Sequence, residues 1–163
     1  VKLALRKRAR ILFPLTLVVG CGIFPYLTDQ AMEAKFRSDE ASFQKLVEMF
    51  KKDGHLSSLN NEAAYLSFDQ KADLSKQRMD EYRDLLKKLG LWVVSRGEKT
   101  GNIYMKAWHR NAFLIGGSSK YYVYAENPPE ALVDSLDKLK DSGHDGYAFK
   151  KISGNWYLHL DIW

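Results

Sequence analysis

Eighteen consecutive residues, Ile11 to Thr28, carry no charge, and they follow a head containing Lys2, Arg6, Lys7, Arg8 and Arg10. A basic head before an apolar run is the pattern of an export or membrane-insertion signal. At 1.5 Å per residue the run reaches about 27 Å as a helix, just enough for the ~30 Å hydrocarbon core. Pro14 and Pro25 would then lie near its ends, where freed carbonyls are more easily solvated. A second reading takes Val18-Val19-Gly20-Cys21 as a cleavage site that resembles the bacterial lipobox, with Cys21 the lipid attachment point. The apolar run before it, Ile11 to Val19, has the length of a signal h-region. Gly22 to Leu27 staying apolar favours the uncleaved anchor instead. A third possibility is an apolar N-terminal segment on a soluble protein, with Cys21 an inert thiol. The first two readings place a domain outside the cytoplasm, at the cell membrane or in the periplasm.

Charge supports the division into a leader (1–28) and one extracytoplasmic domain (29–163). The chain carries 25 basic and 20 acidic residues, and five of the basic ones fall within residues 1–20, which hold no acid. The remainder has zero net charge, so the high pI belongs to the leader. A neutral domain lacks the electrostatic footprint of a nucleic-acid binder. One cysteine allows no internal disulfide, and stability must come from a hydrophobic core.

After the leader, residues 29–41 read as a short helix or tether. Phe43, Leu46, Val47 and Phe50 then give a helical stripe stopped by Gly54. Residues 55–74 have no sustained period and read as a long connection. Ser75 caps a second helix with the stripe Met79, Tyr82, Leu85, Leu86 and Leu89, ended by Gly90. The period then changes to two. Strands are expected at 91–95, 103–108, 112–115 and 121–125, with turns at 99–102, 109–111 and 116–119. Asn127-Pro128-Pro129-Glu130 has the form of a helix start, with Leu132, Val133, Leu136 and Leu139 facing inward. Strands at 147–152 and 156–162 close the chain. The expected fold is α+β, an antiparallel sheet of five to six strands with two or three helices on one face.

Motifs that carry chemistry are weak. Ser42-x-x-Lys45, Ser58-Leu59-Asn60 and Lys99-Thr100-Gly101 occur in the order of the serine penicillin-recognising enzymes, but at spacings too short for that fold. Gly116-Gly117-Ser118-Ser119-Lys120 precedes a strand, not the helix a phosphate loop requires. His55, His109, His144 and His159 show no metal-ligand spacing, and neither metal nor cofactor is expected. His159 and Asp161 share a strand face and form the one acid–base pair available to a hydrolase, without a nucleophile beside them. Trp156, Leu158, Leu160 and Ile162 should face the core, leaving Tyr157, His159, Asp161 and Trp163 on the other side. Tyr104, Trp108, Tyr122 and Tyr124 are expected to share that outer face, as an aromatic surface for an envelope protein, peptide or glycan. A second small core under a covering segment is the other reading of that surface. A purely structural envelope role is a third.

From about Ser42 onward the chain resembles a group of small bacterial proteins, mostly assigned as lipoproteins, that have no established activity. The resemblance lies in Phe43-Gln44-Lys45-Leu46-Val47, Glu81-Tyr82-Arg83, Leu89-Gly90-Leu91, Gly117-Ser118-Ser119-Lys120-Tyr121, Pro129-x-x-Leu132-Val133-Asp134-Ser135-Leu136 and Asn155-Trp156-Tyr157-Leu158. It implies placement in the envelope and supplies no catalytic residues.

Overall fold

A computed structural model describes residues 26–67, 70–112, 116–139 and 145–163. Residues 1–25 with Cys21, His144, and residues 113–115 of the strand expected at 112–115 therefore lie outside the described residues. The elements are α1 (Asp29–Lys52), β1 (Ser58–Asn60), β2 (Ala64–Ser67), β3 (Gln70–Lys71), α2 (Lys76–Leu89), β4 (Val93–Arg96), β5 (Ile103–Ala112), β6 (Gly116–Tyr124), β7 (Gly146–Ser153) and β8 (Trp156–Ile162). The strands form one antiparallel sheet in the order β3-β2-β1-β4-β5-β6-β8-β7.

Both expected helical stripes are buried: Phe43, Leu46, Val47 and Phe50 on α1, and Met79, Tyr82, Leu85, Leu86 and Leu89 on α2. They pack on Val94, Ile103, Met105, Tyr122, Trp156, Leu158 and Leu160 of the sheet, in a single core. Each such side chain contributes roughly 1.5–3 kcal/mol on leaving water. Ser75 caps α2 by accepting from the Arg78 N–H at 3.2 Å, and Gly90 ends it in the left-handed conformation.

Residues 29–41 are helical, one of the two forms expected, and join the following stripe in α1 across a kink at Asp39 (φ −124°, ψ 17°). There the Ser38 hydroxyl donates back to the Lys35 carbonyl at 2.9 Å, a contact that bends helices. Residues 55–74 are not a plain connection but hold β1, β2 and β3, which raise the sheet to eight strands. The Asn60 side chain accepts from the Glu62 and Ala63 N–H groups at 2.8 and 2.9 Å and makes the β1–β2 turn. Residues 109–111 and 116–119 continue β5 and β6 rather than turning. Finally, residues 127–139 form no helix. Leu132 pairs with Phe149 on the outer border of β7, with Val133 N–H to Phe149 O at 2.8 Å and Phe149 N–H to Ala131 O at 3.0 Å. Tertiary pairing overrides the local helix-start signal here.

A buried ionic cluster fastens that segment to α1. Lys120 of β6 is wholly buried, and its ammonium donates to Asp29 Oδ1 (2.7 Å), Asp137 Oδ1 (2.7 Å) and the Leu27 carbonyl (3.0 Å). Asp29 Oδ2 also accepts from the Leu136 N–H at 2.8 Å, while the Asp29 N–H donates to Asp137 Oδ2 at 2.9 Å. Every ammonium proton has an acceptor, the condition under which a buried charge is tolerated. On Asp137, burial pushes the carboxyl up, but the hydrogen bonds from Lys120 and the Asp29 N–H, with the Lys120 charge, together hold it below its ordinary value.

Candidate functional site

The side of the sheet away from the helices bears the site, and strand register decides what it displays. Three rows run across it: Tyr104–Val123–Tyr157, Tyr121–His159–Phe149 and Ser119–Asp161–Tyr147. The β4–β5 hairpin, with Lys99, Thr100 and Asn102, and the 127–130 segment form raised walls. Between them lies a cleft of about 800 Å3 floored by Tyr104, Tyr121, Tyr147, Phe149, His159 and Asp161. That is within the ~300–1,000 Å3 typical of ligand sites.

His159 and Asp161 do share this face, and Tyr104 and Tyr157 join them. Tyr157, however, is 2% exposed, in a small second core with Val123, Ala125 and Phe149. Trp108, Tyr122 and Tyr124 do not belong to the outer surface. The register pairs Tyr122 with Leu158 and Tyr124 with Trp156, which places both tyrosines on the helix side. The register shift between Lys106 and Trp108 turns Trp108 the same way, opposite Lys120. Trp163 is half exposed beyond the cleft, with its indole stacked on His109 at 5.7 Å.

Tyr121, Tyr147 and Phe149 are site residues that sequence reasoning missed. Strand alternation was visible around each. Only the pairing register shows that they share a face with His159.

Aromatic rings enclose His159. Phe149 stacks on it at 4.4 Å, and Tyr121, Tyr104 and Tyr147 approach at 5.3, 5.6 and 6.2 Å. Its Nδ1 lies 3.2 Å from the Ala148 carbonyl, which only accepts, so Nδ1 carries the proton and Nε2 is the basic nitrogen. Burial drives its pKa down to about 4 against the opposing pull of that carbonyl. The imidazole is neutral at pH 7 and a poor general base. Asp161 shows the opposite shift: burial raises its carboxyl pKa, with Lys106 opposing. Its carboxyl group engages no hydrogen-bond or ion-pair partner among the described residues, although it lines the cleft.

The three penicillin-enzyme-like patterns are not brought together. Ser42 and Lys45 lie on α1, Ser58 and Asn60 on β1, and Lys99 and Thr100 on the cleft wall across the sheet. Among the described residues no group of histidine, cysteine or acidic side chains could hold a metal ion. No helix among them is long and apolar enough to cross a membrane.

No family model, curated protein or solved structure matches this chain.

Proposed function

We propose that this chain is a membrane-tethered envelope protein that acts by binding, through the cleft on the outer face of its sheet. The observation that carries this reading is Asp161, a partly buried carboxylate that lines an aromatic cleft and accepts no hydrogen bond among the described residues, with Lys106 acting on it only through its charge. Its oxygens open into the cleft, where a ligand donor can replace the water that they accept from. The basic-apolar leader supports the tether, and the resemblance to lipoproteins supports the envelope.

Ring spacing narrows the ligand. The aromatic centroids stand 4.4–6.2 Å from His159, so the rings pack on that histidine and leave no cage for a cation. What they offer is a platform, with Tyr147 60% exposed. Asn102, Asn127, Ser95 and Thr100 add neutral hydrogen-bonding groups around it. A stacking surface ringed by amides and hydroxyls, with the Asp161 and Glu130 carboxylates and Lys99 among them, suits a hydroxyl-rich ligand such as an envelope glycan.

The test is native mass spectrometry of the full chain titrated with panels of soluble oligosaccharides and peptides. A bound oligosaccharide should be lost in Tyr147→Ala and weakened about tenfold or more in Asp161→Asn, with circular dichroism unchanged. Binding that survives both substitutions would remove the cleft from consideration.

A further inference from the structure

We infer that the end of the sheet bearing Trp92, His109 and Trp163 rests in the lipid headgroup region, with the cleft wall formed by the β4–β5 hairpin turned away from the bilayer. The inference rests on the membrane-tether reading above.

The first argument is the lack of slack. The uncharged run does not end before the fold but inside it. The Tyr26 ring lies 5.1 Å from that of Trp108 and 4.5 Å from Lys120 Nζ. Leu27 gives its carbonyl to Lys120, and the Thr28 hydroxyl accepts from the Ala31 N–H to cap α1. Only five residue steps separate Cys21 from Tyr26, a reach of at most ~17 Å. Acylation of Cys21 keeps the bilayer within that reach, and an uncleaved span has only the 15 residues Ile11 to Pro25, about 22 Å as a helix, and so would draw the domain closer still. In either case the part of the domain around Tyr26 is held against the membrane.

The second argument is which part that is. Tyr26 sits on the Trp108–Lys120 row of the sheet. Three residue steps along β6 lies Gly117, about 10 Å away at strand spacing. There Gly117 and Trp163 exchange two backbone hydrogen bonds, of 2.6 and 3.1 Å. From Asp29, beside Lys120, α1 runs toward the other end of the sheet, where Lys51 lies over the Tyr124 ring. The 99–102 hairpin tip is at that far end too, because Ile103 pairs with Tyr124.

The third argument is chemistry. Trp92 and Trp163 are 46% and 45% exposed, and His109 touches both rings, at 6.2 and 5.7 Å. Arg110, exposed, lies at the same end of the sheet but on its other face, because it pairs with Ser118 and Ser118 with Ile162. Half-exposed indoles on one face of a sheet end that carries an arginine on the other match the membrane–water interface, where an apolar ring and a polar N–H are both accommodated and anionic headgroups meet arginine. The Trp163 indole is held in place: a Cβ on Gly117 would lie 2.7 Å from its ring, so glycine at 117 lets the ring lie flat on the strand.

The experiment uses the full chain in vesicles of phosphatidylethanolamine and phosphatidylglycerol that contain a phospholipid with a nitroxide near its headgroup. Vesicle flotation is measured on the same samples. Of the four tryptophans, Trp108 and Trp156 are buried, and the quenching expected in the wild type should come mainly from the other two. Trp92→Phe/Trp163→Phe should float as before, keep its circular dichroism and lose the larger part of the quenching. A chain that floats without being quenched, or is quenched equally in the double variant, overturns the seating and leaves the tether standing. A chain that does not float overturns both.

Discussion

Lys120→Met is the most informative perturbation of the fold, because it removes one partner from a site where all partners are matched. The ammonium is fully buried and holds Asp29, whose side chain is 5% exposed, and Asp137, whose side chain is 33% exposed. Methionine fills a similar volume, so the change is mainly one of charge. Removing one member of a buried pair destabilises by about 3–5 kcal/mol. The lower end applies here, since Lys150 stays 3.6 Å from Asp29 Oδ2 and the Leu136 N–H still donates to that oxygen. The melting temperature should fall by about 10 °C. The pH dependence supplies the sharper test. Asp137 has a depressed folded pKa, so its contribution is present above the unfolded value near ~4 and is lost as pH falls through the folded value. Without Lys120 the larger part of that depression goes. The stability gap between wild type and variant should be widest at neutral pH and shrink in acid. Urea unfolding of the detergent-solubilised chain, followed by far-ultraviolet circular dichroism across pH, measures it. A gap under about 1 kcal/mol at pH 7, or one that widens in acid, would refute the reasoning.

Two further outcomes are expected. His159 has a folded pKa of about 4 against an ordinary value of 6.5, so the unfolded chain takes up its proton first. Its stabilising contribution is complete above pH ~6.5 and is lost as pH falls toward ~4, by about 3 kcal/mol. His159→Phe should flatten that part of the stability–pH curve in the same urea titrations, and an unchanged slope would contradict the assignment. Gly116 has φ +90°, and a Cβ there would come within 1.9 Å of the Trp163 carbonyl oxygen. Gly116→Ala should destabilise by about 1–3 kcal/mol and shift Trp163 emission to the red. Gly154→Ala, at φ +49° with nothing near its Cβ, should lose less stability and leave the emission alone.

Local chemistry made α1 and α2 legible, since a stripe such as Phe43, Leu46, Val47 and Phe50 needs no knowledge of what lies opposite. β8 was legible for the same reason: Trp156, Leu158 and Leu160 alternate onto the core as read. What escaped depends on partners distant in sequence. Pro128 and Glu130 announce a helix locally, yet Leu132 finds Phe149, and Leu136 and Asp137 find Asp29, more than a hundred residues away. Tyr122 and Tyr124 were assigned to the wrong side because one residue of register exchanges the two faces of a strand. Half of the candidate site, His159, Asp161 and Tyr104, was foreseen. The walls and the Tyr147–Phe149 pair required the assembled sheet.

The two borders of the sheet also restrict how this domain can meet another molecule. On one side, β3 is only two residues long, and Gln70 and Lys71 are both exposed. On the other, Ala131 and Val133 already occupy backbone groups of Phe149 on β7. A visiting strand meets a two-residue edge at one margin and, at the other, a β7 that is blocked in its middle at Phe149, a device that also guards against fibrillar self-association. Recognition through added strands is thus discouraged at both ends, and side chains are left to select the partner.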